Sequence, residues 1–278
     1  MFKGRQLLIA TKHAKQMVMA SILEKSLGVI TYTPELFDTD VLGTFTGEVE
    51  RTDDPLTTLR KKCSLAAEQF NYDLVVASEG SFGPHPTLFF ASADDELIMC
   101  LDTKNNLEIV ARELSVETNF NGSIITTTDQ LDAFADKVLF PEHALILRDA
   151  KHSNKTIIKG ITDRDTLYKA FNEIIAKYGT AYAETDMRAM YNPGRMRVIE
   201  AATLQLVKKM QSLCPQCSTP GFDVTSATRG LPCGFCHTPT RSVLSYTYSC
   251  VKCNFTQEEM YPDKKLFEEQ MYCDVCNP

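Results

Sequence analysis

The sequence predicts an α/β fold with a mixed central sheet flanked by helices, followed by a small C-terminal zinc-ribbon region with two four-cysteine zinc sites. Three observations predict it. Short apolar runs alternate with amphipathic, capped helical segments through the first 212 residues. Neither an internal repeat nor a low-complexity linker interrupts that stretch. After Leu213 the chain changes to turns, short β-prone runs and four Cys-x-x-Cys pairs: Cys214/Cys217, Cys233/Cys236, Cys250/Cys253 and Cys273/Cys276. Two domains are therefore expected, an α/β domain over 1–212 and a double zinc ribbon over 213–278.

The elements follow in order. Residues 6–10 form a short apolar strand, and the polar turn 11–15 leads into a helix whose Met19, Leu23 and Leu27 recur at helical spacing. Gly28 stands where a left-handed cap is expected, and 29–33 is a second strand. Residues 34–54 look irregular. Asp54-Pro55 is a helix start, with an acceptor at the N-cap and proline at the first turn. Leu59, Cys63, Ala66 and Phe70 make the buried face of that helix, and 73–78 is a uniformly apolar, buried strand.

That strand empties into Glu79-Gly80-Ser81-Phe82-Gly83-Pro84-His85-Pro86, read as a ligand loop at a strand's carboxyl end. Segments 96–102 and 107–114 form a hairpin around Lys104-Asn105-Asn106. Strands are expected at 124–127, 143–148, 156–161 and 180–184. Helices are expected near 130–138, from Asp163 or Asp165 to Lys177, and from Pro193 to Ser212.

Composition bounds the function. A chain of 278 residues accommodates one large domain plus an appendage. Its net charge of −7 argues against a nucleic-acid clamp, which carries a basic surface. The apolar run at residues 7–10 is too short for a signal-peptide core, and nothing approaches the roughly 18 apolar residues of a membrane span. A cytoplasmic protein is expected. In that reducing compartment paired thiols mean metal rather than disulfides.

Zinc takes four tetrahedral thiolates, and two Cys-x-x-Cys turns supply them. Eight cysteines thus imply two closed, structural zinc ions, with gaps of 15, 13 and 19 residues between pairs, each long enough for a short hairpin. Sequential pairing gives tandem ribbons and nested pairing joins the first pair to the fourth; sequential is the reading preferred here. From Gln211 to the end there are five basic and seven acidic side chains, and each four-thiolate zinc adds a further −2. The tail therefore lacks phosphate-neutralising charge, and a protein-contact or domain-stabilising role is expected.

In the main domain three polar stretches carry candidate chemistry: 11–15, 79–86 and 184–197. Lysine near a helix N-terminus suits phosphate, and a strand-end Glu79 suits Mg²⁺. Arg188, Arg195 and Arg197 are suited to gripping a phosphate or carboxylate. Glu184 and Asp186 are two apart, so an extended strand would point both to one face, where they could share a metal. His13 and His85 are the histidines placed for proton transfer.

The segments Ala77-Ser-Glu-Gly-Ser-Phe-Gly-Pro-His-Pro86, Glu184-Thr-Asp-Met-Arg-Ala-Met-Tyr-Asn-Pro193 and Cys273-Asp-Val-Cys-Asn-Pro278 resemble an uncharacterised bacterial family that joins an α/β domain to a double zinc ribbon. Residues 7–80 also resemble the inosine/xanthosine triphosphate pyrophosphatase fold. The turn Thr11–Lys15, the basic helix Leu59-Arg-Lys-Lys-Cys-Ser-Leu-Ala-Ala67 and the strand Leu74-Val-Val-Ala-Ser-Glu79 carry that likeness. It implies Lys15 on phosphates, Glu79 on Mg²⁺ with Glu48 or Glu50 as second carboxylate, and Arg188 near the base. Thr11, His13, Glu184, Asp186 and Arg195 complete the expected ligand shell. His13 stands where that family has Asn.

The expected function is a Mg²⁺-dependent, nucleotide-binding hydrolase of a phosphoanhydride, with Glu79, Lys15 and Arg188 as its working groups. The alternative is a non-enzymatic scaffold that uses the zinc tail for protein contacts.

Overall fold

The computed structural model describes residues 1–35, 37 and 53–278. The chain divides into two compact units, Met1–Val207 and Lys208–Pro278.

The larger unit opens with β1 (Gln6–Ala10), α1 (Gln16–Leu27), β2 (Ile30–Tyr32), α2 (Pro55–Phe70), β3 (Leu74–Pro84), β4 (Ser92–Asp102) and β5 (Leu107–Ser115). These strands make one mixed sheet in the order β2-β1-β3-β4-β5. β1, β2 and β3 are parallel, and β4 runs antiparallel to both β3 and β5. Helix α1 ends at Gly28, whose φ of 66° is the left-handed cap that glycine adopts without a Cβ penalty. Helix α2 starts at Asp54, whose carboxylate accepts from the Leu56 and Thr57 amides, with Pro55 in the first turn.

Period-2 alternation decides what α2 covers. Leu8, Ala10, Val75, Ala77 and Met99 lie on one face of the sheet and pack with Leu59, Cys63 and Ala66 of α2. Each fully buried Leu in this set stabilises by about 2 kcal/mol relative to exposure.

β3 continues through Pro84, paired residue by residue with β4 back to Ser92. The stretch from Glu79 to Pro84, expected as a loop, is therefore a strand. The apolar signal stops at Ser78, but the β4 partner segment supplies the ladder that keeps the polar remainder extended.

The unit continues with β6 (Gly122–Ile125), α3 (Thr128–Lys137), β7 (Leu145–Arg148), β8 (Ile157–Ile161), α4 (Arg164–Tyr178), β9 (Ala181–Thr185) and, as far as Val207, α5 (Pro193–Gln211). A second, antiparallel sheet runs β6-β9-β7-β8. Its core joins Ile125, Leu145, Leu147 and Ala183 to Leu131 and Phe134 of α3 and to Leu167, Phe171 and Ile174 of α4. In α5, Val198, Ala202 and Leu206 are buried, as their spacing predicts.

The smaller unit holds β10 (Asp223–Arg229), β11 (Val243–Ser249) and β12 (Thr256–Met260) in one antiparallel sheet. Each gap between cysteine pairs contributes one strand rather than a hairpin. Among the described residues no helix is long and apolar enough to cross a membrane.

Candidate functional site

In the larger unit a set of charged side chains is buried where β1 ends and β3 runs on beyond it. Lys15 immediately precedes α1 and is buried. Its Nζ donates to Ser78 Oγ at 2.8 Å and stands 4.0 Å from Glu96 Oε2. Burial drives the Lys15 ammonium down to about 7; the Arg195 charge pushes the same way, and Glu96 opposes.

Arg195, in the first turn of α5, donates from Nε to Glu96 Oε1 at 2.6 Å and from Nη1 to the Met187 carbonyl at 2.5 Å. Its guanidinium also lies 5.1 Å from the centre of the Phe82 ring. Register explains this grouping. Glu96 lies across from Gly80 and Asp94 across from Phe82, so these four and Ser78 share one face of the hairpin. A Cβ at Gly80 would collide with the Glu96 carboxylate and come within 2.6 Å of Arg195 Nη2, so glycine is what admits the pair.

Asp94 and Glu96 are 1% and 0% exposed. Among the described residues Asp94 Oδ1, Glu96 Oε2 and Thr11 Oγ1 are buried without a hydrogen-bond partner. Burial, and then the Glu96 charge, push the Asp94 carboxyl up to about 8, against Arg195 and Lys15.

Glu79 faces the other way. It shares the parity of Val75 and Ala77, and Lys62 of α2 meets it there, with Nζ 2.5 Å from Glu79 Oε2 and 3.1 Å from the Ser78 carbonyl. The expected arrangement, with Glu79 presented beside Lys15 from a loop, is thus corrected: strand alternation puts Ser78 and Gly80 on the Lys15 side and Glu79 behind them. Magnesium needs carboxylate oxygens with lone pairs to give. Glu79 stands in an ion pair with Lys62 on the α2 side of the sheet, away from the Lys15 face where the resemblance expects it.

Arg188 belongs to neither group. Its Nη2 meets Asp186 Oδ2 at 2.6 Å, and its guanidinium sits 4.6 Å from the Tyr191 ring centre. Asp186 also accepts from the Gly160 amide, while Glu184 pairs with Arg148 at 2.6 Å. Glu184 and Asp186 are therefore taken by separate arginines, not presented as one pair. Arg195, expected to grip a phosphate or carboxylate, is buried and holds the Glu96 carboxylate. His13 lies with buried Thr11 in the β1–α1 connection. Glu48 and Glu50 lie outside the described residues.

Lys62, Asp94 and Glu96 were not singled out from the sequence, yet each left a signal. Lys62 stands three after Leu59 and four before Ala66, on the buried face. Extending the hairpin register backward from Lys104 carries β4 through Glu96 and Asp94, opposite Glu113 and Ser115; the β3–β4 ladder sets them opposite Gly80 and Phe82.

The smaller unit holds two cysteine clusters, Cys214, Cys217, Cys250 and Cys253, and Cys233, Cys236, Cys273 and Cys276, each with its sulfurs within 4.8 Å of one another. The pairing is interleaved, first pair with third and second with fourth, which corrects both the sequential and the nested expectation. Strand direction is the cause. The start of β10 pairs with the end of β11, Asp223 with Ser249, which brings the first and third pairs to one end of the sheet. The second pair follows β10 at the other end, about 20 Å away for a strand of this length. β12 then runs back toward that end and leads to the fourth pair.

Each pair is shaped by the same turn. The amides of Ser218, His237, Asn254 and Asn277 donate to the carbonyls of Cys214, Cys233, Cys250 and Cys273 at 2.8–3.0 Å. The Phe235 and Lys252 amides point at the sulfurs of Cys233 and Cys250. The Thr219 hydroxyl and amide hold the Cys217 thiol down to about 6, toward the thiolate that binds metal.

Sulfur separations of 3.6 Å for Cys214–Cys253 and Cys217–Cys250, and of 3.9 and 3.6 Å for Cys233–Cys276 and Cys236–Cys273, far exceed a disulfide bond. They match the roughly 3.8 Å edge of a tetrahedron with 2.3 Å Zn–S bonds. Each cluster could hold a metal ion, and its geometry is compatible with zinc.

Fold and clusters together define an α/β protein with a cross-braced, two-site cysteine unit. Residues 62–278 match the model of the family described as "Domain of unknown function (DUF6671)", and the chain belongs to that family. Among solved structures, protein VC0702 from Vibrio cholerae is similar at 8% identity and a TM-score of 0.35, over 74% of this chain and 94% of that one. The lipoprotein GNA1162 from Neisseria meningitidis is similar at 12% identity and a TM-score of 0.21, over 49% of this chain and 95% of that one. No curated protein matches the sequence.

Proposed function

We propose that the larger unit binds a phosphorylated small molecule, a nucleotide by expectation, and hydrolyses its phosphoanhydride. One observation carries the reading: a buried lysine at the carboxyl edge of parallel strands, which among the described residues hydrogen-bonds a hydroxyl and stands 4.0 Å from a carboxylate that Arg195 already holds. An anion beside Lys15 would add a countercharge closer than Glu96. Lys15 would then neutralise charge on the phosphoryl oxygens as water displaces the leaving phosphate. Arg188, committed to Asp186 and Tyr191, is left out of this reading.

In the smaller unit the metal is read as two structural zinc ions. Four thiolates close each site and leave no position for substrate, and metal supplements the small apolar cluster of Phe222, Tyr248 and Phe255. Eight reduced thiols fit a cytoplasmic setting.

The test is phosphate release from a panel of nucleoside triphosphates with Mg²⁺, comparing the zinc-loaded wild type with Lys15→Met. Turnover of at least one nucleotide, lost in Lys15→Met, is expected. Background turnover by both proteins overturns the reading and leaves the non-enzymatic scaffold.

A further inference from the structure

We infer that Asp94 and Glu96 hold a hard divalent cation, Mg²⁺ or Mn²⁺, on the Gly80 face of the β3–β4 hairpin. The inference deepens the proposed function and rests on it only for the nature of the ligand beside the metal.

Three observations converge. First, the two carboxylates are two residues apart on one strand, and register sends both to one face. Second, each is fully buried yet keeps one oxygen, Asp94 Oδ1 and Glu96 Oε2, without a hydrogen-bond partner among the described residues. A buried carboxylate oxygen left so is costly, and an absent water or ion is what relieves it. Third, among the described residues no cation hydrogen-bonds these two oxygens. Arg195 takes Glu96 Oε1 and Lys62 takes Glu79, while Lys15 reaches no closer than 4.0 Å to Glu96 Oε2.

The donor set selects the ion. Two carboxylate oxygens with neither sulfur nor imidazole suit a hard cation that keeps most of its waters and completes its shell with phosphate oxygens. Lys15 beside Glu96 would repel a bare cation, and a phosphate bridging the two would remove that repulsion. The same face thus offers a cation position next to an anion position. The charge pattern matches a metal-bound phosphoanhydride rather than a free anion.

The experiment uses the full, zinc-loaded chain, so that the cysteine clusters are filled. Mn²⁺ binding is followed by electron paramagnetic resonance, with and without inorganic pyrophosphate. One saturable Mn²⁺ per chain is expected in at least one condition. It should weaken at least roughly tenfold in Asp94→Asn and Glu96→Gln and be retained in Glu79→Gln.

No saturable Mn²⁺ in the wild type under either condition overturns the inference, whether or not the variants fold. So does wild-type affinity in both Asp94→Asn and Glu96→Gln, which would leave a water as the partner of these oxygens. Pyrophosphate binding without metal, compared between wild type and Lys15→Met, reports separately on the anion position. Its failure would sink the phosphate reading while the Mn²⁺ result stood.

Discussion

Gly80 of β3 is the register partner of Glu96 of β4, and the missing side chain at Gly80 is what lets the Glu96 carboxylate and the Arg195 guanidinium meet over the strand. This close approach ties the β3–β4 hairpin to α5 through a fully buried ion pair. It also leaves Glu96 Oε2 turned toward Lys15.

Gly80→Ala should therefore destabilise the larger unit by about 3 kcal/mol, because the new methyl group displaces a buried charge pair. Urea unfolding followed by circular dichroism checks this. A change below the error of the fit would mean that the pair shifts without loss.

Arg195→Met should cost about 3–5 kcal/mol, since it strands the Glu96 carboxylate in the interior. Adding Glu96→Gln should recover part of that loss, so the double variant should be more stable than the two single costs predict. A double-mutant cycle measures the coupling, and strict additivity would contradict the buried pairing.

Asp94→Asn should change the pH dependence of stability in buffer free of Mg²⁺ and Mn²⁺. Burial and Glu96 raise the folded Asp94 carboxyl to about 8, above its unfolded value of 3.8. The folded state then binds the extra proton between those limits. The Asp94 contribution is fully present below the lower value and is lost as pH rises through the upper one. Asn cannot ionise, so the variant should gain on the wild type as pH rises from 5 to 9, read as the difference in melting temperature. Lys15 acts in the opposite sense from about pH 7 upward in both proteins and drops out of the comparison. A difference that is flat with pH would refute the raised carboxyl.

Metal content separates interleaved from sequential pairing. The wild type should carry two zinc ions per chain by elemental analysis. Cys214→Ser with Cys250→Ser should leave one ion, because both belong to one cluster. Cys214→Ser with Cys233→Ser should leave none. Sequential pairing demands the reverse outcome for these two double variants.

Much of the architecture was legible in the residues. The cap at Gly28, the Asp54-Pro55 helix start and the apolar periodicity of α2 and α5 are local signals, and local backbone chemistry obeys them. The eight cysteines announced two four-thiolate sites for the same reason, since a Cys-x-x-Cys turn shapes itself. The buried site was less legible. Lys15 was visible as a lysine at a helix start, but Glu79 looked like its companion only while β3 was thought to end at Ser78.

The sequence by itself determined which groups exist and how each short stretch folds: the helices with their caps, the four thiol turns, and a lysine poised after the first strand. The tertiary structure decided which of those groups meet. Strand alternation sent Glu79 to Lys62 and left Asp94 and Glu96 on the Lys15 face, and antiparallel strand direction joined the first cysteine pair to the third. Both outcomes depend on pairing between residues distant in the chain, where one register position moves a side chain to the opposite face. Residue type and local spacing carry no record of that choice.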